Sequence, residues 1–469
     1  MNKTKIKKLE KELKFKSALV WDKLKPQERK ASLKLSEDYK AFLNTAKTER
    51  EAVKEIEARA KAAGFRPISS RKTKGRVYAS FMDKTMALAV PGQKPLTEGL
   101  RLIVSHIDAP RLDLKQRPVY EDVDLVLFKT HYYGGIKKHQ WLSRPLALHG
   151  RVIKADGSVL DLVLGEDEKD PVLTIADLLP HLAGKVQAGK KVSEAFPGEK
   201  LNLLAGSLPL GDDEVKERFK LAVLELLRRR WGLIEEDFLS AEFEAVPAGR
   251  ARDVGLDSSM IGSYGQDDRI CAFTSLAALL DAKRPVYTCL ALFMDKEEIG
   301  SDGATGAKSR FLEDFLSDLF VLSGKTPSSA ALRKTLMNTR AISADVTGAI
   351  DPDYQEVHEK LNAARLGYGP CVSKYTGSGG KYSASDASAE YLGWIRQVLN
   401  RARIVWQAGE LGRVDEGGGG TVAKFLAEHG MEIVDFGPPL LDMHSPFEIS
   451  SKADVYMTRQ AYQAFYLAR

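Results

Sequence analysis

The apolar run "VYTCLALFMD" leads straight into "KEEIGSDGATGA", so a stretch fit for a buried strand stops on two adjacent glutamates, Glu297 and Glu298, and a loop of small residues. The same break recurs at "SHIDAP" (105–110), "GQDDRICAF" (265–273), "ISADV" (342–346) and "DMHSP" (442–446), each placing His, Asp or Glu at an apolar boundary. In an open α/β sheet, ligands bind outside the carboxyl ends of the strands, so boundaries far apart in sequence converge on one crevice. Beyond "VPAGRARDVGLD", helix-like segments ("RICAFTSLAALLDA", "SRFLEDFLSDLFVLSG") alternate with strand-like ones ("VYTCLALFMD", "TRAISADV"). That alternation predicts an α/β fold with a central mixed sheet and helices on both faces.

A chain of 469 residues exceeds what one hydrophobic core usually serves, so a second domain or a large insertion is expected. Residues 3–64 have helical spacing and stop at "AAGF", where Gly64 suits a helix end. Short β-rich runs then place His106 at a strand's end. From about 109 to 250 the texture changes: strand-like "VDLVLFKTHYYGG" and "RPLALHGRVIKADGSVLDLVL" with its Asp-Gly turn, helical "TIADLLPHLAGKV", and a Gly/Asp-rich loop, "LAGSLPLGDDE". The expected organisation is residues 1–108 as the first part of the main domain with a helical arm, 109–250 as an inserted β-rich domain, and 251–469 as the second part.

The net charge of +6 is a property of the tail: residues 1–34 carry 12 Lys and Arg against 4 Asp and Glu, leaving −2 for the rest. A Lys-rich solvated helix face accounts for that run, so neither nucleic-acid binding nor a membrane role is expected. The start of the chain lacks the order of a secretion signal, and a cytoplasmic location is expected. Three cysteines, Cys271, Cys289 and Cys371, lie in or beside apolar stretches, which suits reduced core thiols and rules out a cysteine-based zinc site.

Carboxylates crowded at one crevice raise one another's pKa, whereas divalent cations neutralise them and keep them ionised. Two imidazoles and several carboxylates without thiolates form a ligand set for Zn²⁺, Co²⁺ or Mn²⁺ in a two-metal hydrolytic site. Within such a site one of the paired glutamates binds metal and the other, free of it, takes a proton from water. Each piece alone has a bland reading. His106 and His444 suit half-buried core histidines, Asp345 a capping residue, Glu297–Glu298 a surface turn, His181 a helix start and Lys374 a solvated lysine. The ordered joint occurrence of His106, Glu297–Glu298, Asp345 and His444 at strand ends favours the site.

The ordered set "SHIDAP", "YGG…W.SRPLALHGRV", "LPHL", "DDR", "EEIGSDGATGAKS", "SADV" and "MHS", running from about residue 75 to the C-terminus, resembles the aspartyl aminopeptidase and vacuolar aminopeptidase I family of dinuclear zinc metallopeptidases. The resemblance implies a zinc-peptidase-like catalytic domain and an inserted dimerisation domain. It implies metal ligands His106, Asp267 (bridging), Glu298, Asp345 and His444, with Glu297 as general base and Asp108 orienting the His106 imidazole. His181 is implied to serve a neighbouring subunit's site, and Lys374 to shape the substrate pocket. The implied substrates are peptides with a free N-terminus, and the implied assembly is a homo-oligomer, a dimer at least and a tetrahedral dodecamer in the family. Related peptidases also imply a cis Asp267–Asp268 bond, at a cost of about 3 kcal/mol. His131, His139, His149, His358 and His429 receive no catalytic role. A carboxypeptidase or deacylase on the same scaffold, or a noncatalytic assembly or cargo-binding relative, remain the alternatives. Preference for acidic or neutral N-terminal residues stays open.

Overall fold

The computed structural model describes residues 1–15, 17–69 and 75–469. The helical expectation over 3–64 resolves into four helices, Lys3–Leu13, Val20–Lys23, Pro26–Thr45 and Glu49–Ala62; Lys16, within that run, lies outside the described residues. Proline opens the third helix because the first turn needs no N–H donor from it. The fourth opens on a reciprocal cap, in which Glu51 N–H donates to Thr48 Oγ1 and Thr48 N–H to Glu51 Oε2. It ends just before Gly64, whose φ of +84° is a left-handed backbone that glycine adopts without strain.

Nine strands form the main sheet, in the order 66–67, 77–81, 85–90, 288–294, 100–106, 340–343, 432–437, 371–373, 407–408. Its middle four (288–294, 100–106, 340–343 and 432–437) are mutually parallel, with antiparallel neighbours outside them, so the sheet is mixed. Alternate residues of these strands enter two cores on opposite faces. Ile103, Ala291, Phe293 and Ile342 join the helices Pro26–Thr45, Gln266–Leu280 and Lys452–Tyr466, while Leu102, Val104, Leu290 and Leu292 join the helix Phe311–Leu322. Burial on both faces is why these strands read as continuous apolar runs.

The chain leaves the main sheet at His106 and, five residues later, starts a second, wholly antiparallel sheet in the order 159–164, 146–153, 241–247, 111–122, 125–133, 203–206. This sheet has its own core, including Leu112, Phe128, Trp141, Leu146 and Phe243, against which the helix Arg218–Trp231 packs through Phe219 and Val223. The Asp156–Gly157 hairpin forms as expected, with Gly157 at φ +82°. The helix read over 174–186 is shorter, Pro180–Val186, and Thr174 instead bridges Leu204. Proline 180 fits only the first turn of a helix and holds its predecessor out of the helical region. All three cysteines are buried and unpaired. No described helix is long and apolar enough to cross a membrane.

Candidate metal centre and catalytic cleft

Strand register sets the site's floor. Met294 pairs with His106 and Ser343 with Val104, so Glu297, His106 and Asp345 leave the sheet at one level. Asp267 and Asp268 lie in the first turn of the helix Gln266–Leu280, entered through Gly265 at φ +72°. His444 follows the strand Glu432–Gly437 and itself adopts φ +64°, a strained value for a side-chain-bearing residue. Apart from Asp268, these groups line one cleft of about 820 Å³, together with Glu298, Tyr375, the glycine-rich loop 417–420 and Lys424.

Two half-sites flank Asp267. On one side, His106 Nε2 lies 3.6 Å from Asp345 Oδ1; on the other, His444 Nε2 lies 3.0 Å from Asp267 Oδ2 and 3.4 Å from Glu298 Oε1. One ligand atom each from His106, Asp267, Asp268 and Glu298 falls within 4.8 Å of the others. Asp268 is committed elsewhere, since Arg269 Nη1 donates to its Oδ2 at 3.1 Å and its buried Oδ1, which makes no hydrogen bond, lies 3.7 Å from His106 Nδ1. The all-nitrogen-and-oxygen donor set of His106, Asp267, Glu298, Asp345 and His444 fits divalent metal ions. The Asp267–Asp268 bond is not cis: there is no cis peptide among the described residues, and both aspartates continue the helix in the ordinary trans form.

Asp108 does more than was expected of it. Its main-chain oxygen, at 3.2 Å, faces His106 Nδ1 more closely than its carboxylate does, at 3.6 Å. The carboxylate instead accepts the N–H groups of Glu297 (3.0 Å) and Glu298 (3.1 Å) and the Tyr133 hydroxyl (2.8 Å). The turn carrying both glutamates is therefore clamped by a fully buried carboxylate one strand away. Sequence reasoning missed Glu448. It is 1% exposed and accepts N–H groups from His444 at 2.8 Å, from Asp267 at 3.1 Å and from Gln266. It joins the backbones of Asp267 and His444, two candidate ligands, and holds the strained His444; its only signal was an acid four residues after His444.

Without metal the charges are far from their ordinary values. Burial, then repulsion from Asp345 and Asp108, outweighs the relief from His106 and pushes the Glu297 carboxyl up to about 8. Burial raises Glu298 strongly and takes Asp268 to about 7. Burial opposes the charged form of His444, but Asp267 and Glu298 override it and lift the imidazole to about 11.

His181 lies outside the cleft lining, exposed at the start of its short helix in the second sheet's region. Lys374 is exposed, with Nζ 3.8 Å from Asp386 Oδ1, while its neighbours Ser373 and Tyr375 line the cleft. His149, given no catalytic role, sits between Glu51 (2.7 Å) and Glu166 (3.2 Å) in a salt-bridge network.

The family model for aminopeptidase I zinc metalloproteases (M18) matches residues 42–466. A probable M18 family aminopeptidase 1 of Clostridium acetobutylicum is 47% identical over 452 residues, covering 95% of this chain and 97% of that protein. The crystal structure of an M18 aminopeptidase from Thermotoga maritima superposes with a TM-score of 0.93 at 48% identity, covering 97% of this chain and 99% of that one. The mApe1 dodecamer of S. cerevisiae shares the fold at 20% identity and a TM-score of 0.73, covering 92% and 95% of the two chains.

Proposed function

This chain belongs to the M18 family of zinc aminopeptidases, and from that premise we propose that it releases N-terminal residues from peptides with Glu297 as the proton-transferring base of a two-metal site. The observation that carries the reading is the asymmetry of the glutamate pair. Glu298 faces His444 at 3.4 Å, whereas the Glu297 carboxylate makes no hydrogen bond or salt bridge among the described residues and lines the open cleft. His106 and Asp345 would hold one ion, His444 and Glu298 the other, and Asp267 would bridge them. Zinc follows from the family; Co²⁺ and Mn²⁺ suit the same donors. When bound, the ions supply Lewis acidity toward the scissile carbonyl and allow a water to be deprotonated near neutral pH.

Glu297 accepts the proton of the attacking water and returns it to the leaving amine. Asp108 keeps Glu297 at its post by gripping the turn's N–H groups. A free α-amine is attracted by the ring of carboxylates, which directs the site to amino termini. The test is a panel of aminoacyl p-nitroanilides and dipeptides, with acidic, neutral, basic and N-acetylated members, assayed on chelator-stripped protein before and after adding Zn²⁺, Co²⁺ or Mn²⁺. Metal-dependent hydrolysis of free amino termini alone is expected. Cleavage of the N-acetylated members would instead favour a deacylase or carboxypeptidase. The acidic-to-neutral rate ratio in the same panel reads out whether Lys374, at the cleft's edge, attracts acidic side chains by a charge-assisted hydrogen bond.

The region 109–250 acts in this proposal as an inserted dimerisation domain. Leu178, Leu179, Leu182, Val186 and Val192 are exposed around His181, an apolar face suited to a second copy of the chain. A partner seated there would receive His181 as an oxyanion donor in its own cleft. Higher assembly to a dodecamer is the family expectation. Sedimentation of wild-type protein should give a dimer or larger, and His181→Ala should lower kcat without altering that mass; a fully active monomer would refute the arrangement.

A further inference from the structure

The second sheet ends inside the catalytic wall. Its strand Leu125–Tyr133 runs into Gly134 and Gly135, and these residues meet the His444 and Glu298 half of the metal centre. The Gly135 carbonyl oxygen faces His444 Nδ1 at 2.9 Å, fixing which imidazole nitrogen points at Asp267. A Cβ built on Gly134 would stand 3.0 Å from Glu298 Oε2, and one on Gly135 would stand 3.3 Å from His444 Nδ1. Only a backbone without side chains approaches the ligands this closely, which accounts for the glycine pair in "YYGG".

Tyr133 completes the contact. Its ring is buried under the Arg111 guanidinium, whose centre lies 3.9 Å from the ring centroid. Arg111 is in turn held by Asp113 (2.8 Å) and Glu244 (3.1 Å), both on the same sheet. The ring is thus immobilised by its own sheet while its hydroxyl donates to Asp108 Oδ2 at 2.8 Å in the main domain. Asp108 Oδ2 also takes the Glu298 N–H, and Oδ1 takes the Glu297 N–H. We propose that Tyr133 is a positioning residue for the reaction: by anchoring the Asp108 carboxylate, it sets the turn that presents Glu297 to the water and Glu298 to the metal. The region that serves assembly would then also tune the catalytic turn.

The inference rests on the two-metal reading with Glu297 as base, and the experiment separates the two. Tyr133→Phe keeps the ring and its cation–π contact and removes only the hydroxyl. Tyr132→Phe, on the exposed side of the same strand, is the control. Kinetics on an aminoacyl p-nitroanilide are measured alongside zinc affinity by chelator competition and thermal unfolding of the metal-free proteins. Removal of an outer partner of a metal ligand typically costs about 10–100-fold in affinity or activity. Tyr133→Phe is expected to fall in that range through kcat and zinc affinity, with KM and the metal-free unfolding midpoint unchanged and Tyr132→Phe indistinguishable from wild type. In a double-mutant cycle with Asp108→Asn, the two losses should be strongly non-additive. A Tyr133→Phe protein within twofold of wild type in kcat and zinc affinity overturns the proposal, as does a loss matched by a lowered metal-free midpoint. Wild-type protein whose activity ignores metal, or survives Glu297→Gln, overturns the underlying reading instead.

Discussion

Glu297→Gln is expected to lower kcat by about 10²–10⁴-fold, the usual worth of a positioned general base, while leaving zinc stoichiometry and fold intact. The substitution is nearly isosteric, and the glutamine keeps the backbone N–H that donates to Asp108 Oδ1, so the turn should stay in place. What it removes is the one carboxylate of the pair that makes no hydrogen bond or salt bridge among the described residues. Glu298→Gln should behave differently. Its carboxylate faces His444 and belongs to the cluster of close ligand atoms, so its loss should show first as weaker zinc binding, with turnover partly recovered at high zinc. Single-turnover kinetics with zinc titrated by chelator competition separates the two. Wild-type turnover in a zinc-loaded, folded Glu297→Gln protein would falsify the base assignment.

The contrast between these neighbours shows how much of the site could be read from the sequence. A chain that ends apolar strands on His106, Glu297–Glu298 and Asp345 advertises polar groups at buried boundaries, and parallel pairing brings such ends to one level. The alternation of periods was likewise sufficient for a mixed sheet covered on both faces. Less legible were contacts made through the backbone. Glu448 works by accepting main-chain N–H groups, and any residue type can donate those, so no partner pattern marks it. Tyr133 reaches Asp108 across two sheets whose relative placement no local periodicity encodes. The glycines of "YYGG" were visible, yet their purpose depends on where Glu298 and His444 come to rest. The overlong helix at 174–186 was a failure to give Pro180 its due weight, since apolar spacing does not override a residue that cannot sit in a helix interior. The expected cis bond came from resemblance alone and had no support in the residues themselves.

Stripping the metal should abolish hydrolysis and also make stability depend steeply on pH, in a direction that follows from the site's charges. In the metal-free protein the carboxyls of Glu297 (about 8), Asp268 (about 7) and Glu298 all titrate above their unfolded values. Between the ordinary carboxyl pKa of about 4 and these values the folded protein holds protons that the unfolded chain has released. The imidazoles act in the same sense at higher pH. His444 is lifted to about 11, and although burial works against the charged form of His106, the neighbouring Asp108 and Asp345 carboxylates raise it well above its ordinary value, so both stay protonated in the fold above the unfolded value of about 6.5. With more protons bound in the folded state, unfolding free energy falls as pH rises, by about 1.4 kcal/mol per pH unit for each proton in excess. Asp108 and Asp267, whose pKa values are lowered, oppose this only below pH 4, outside the window. Metal ions take the place of those protons, so zinc should bind more tightly, and stabilise more, at pH 8 than at pH 6. At 100 times its Kd, zinc adds about 2.7 kcal/mol. Chemical denaturation of stripped and zinc-loaded protein at pH 6, 7 and 8 measures both trends. A stripped protein whose stability is flat or rises across that range would mean that the carboxylates are not held together in the fold as they are here, and the case for a paired-metal centre would lose its electrostatic basis.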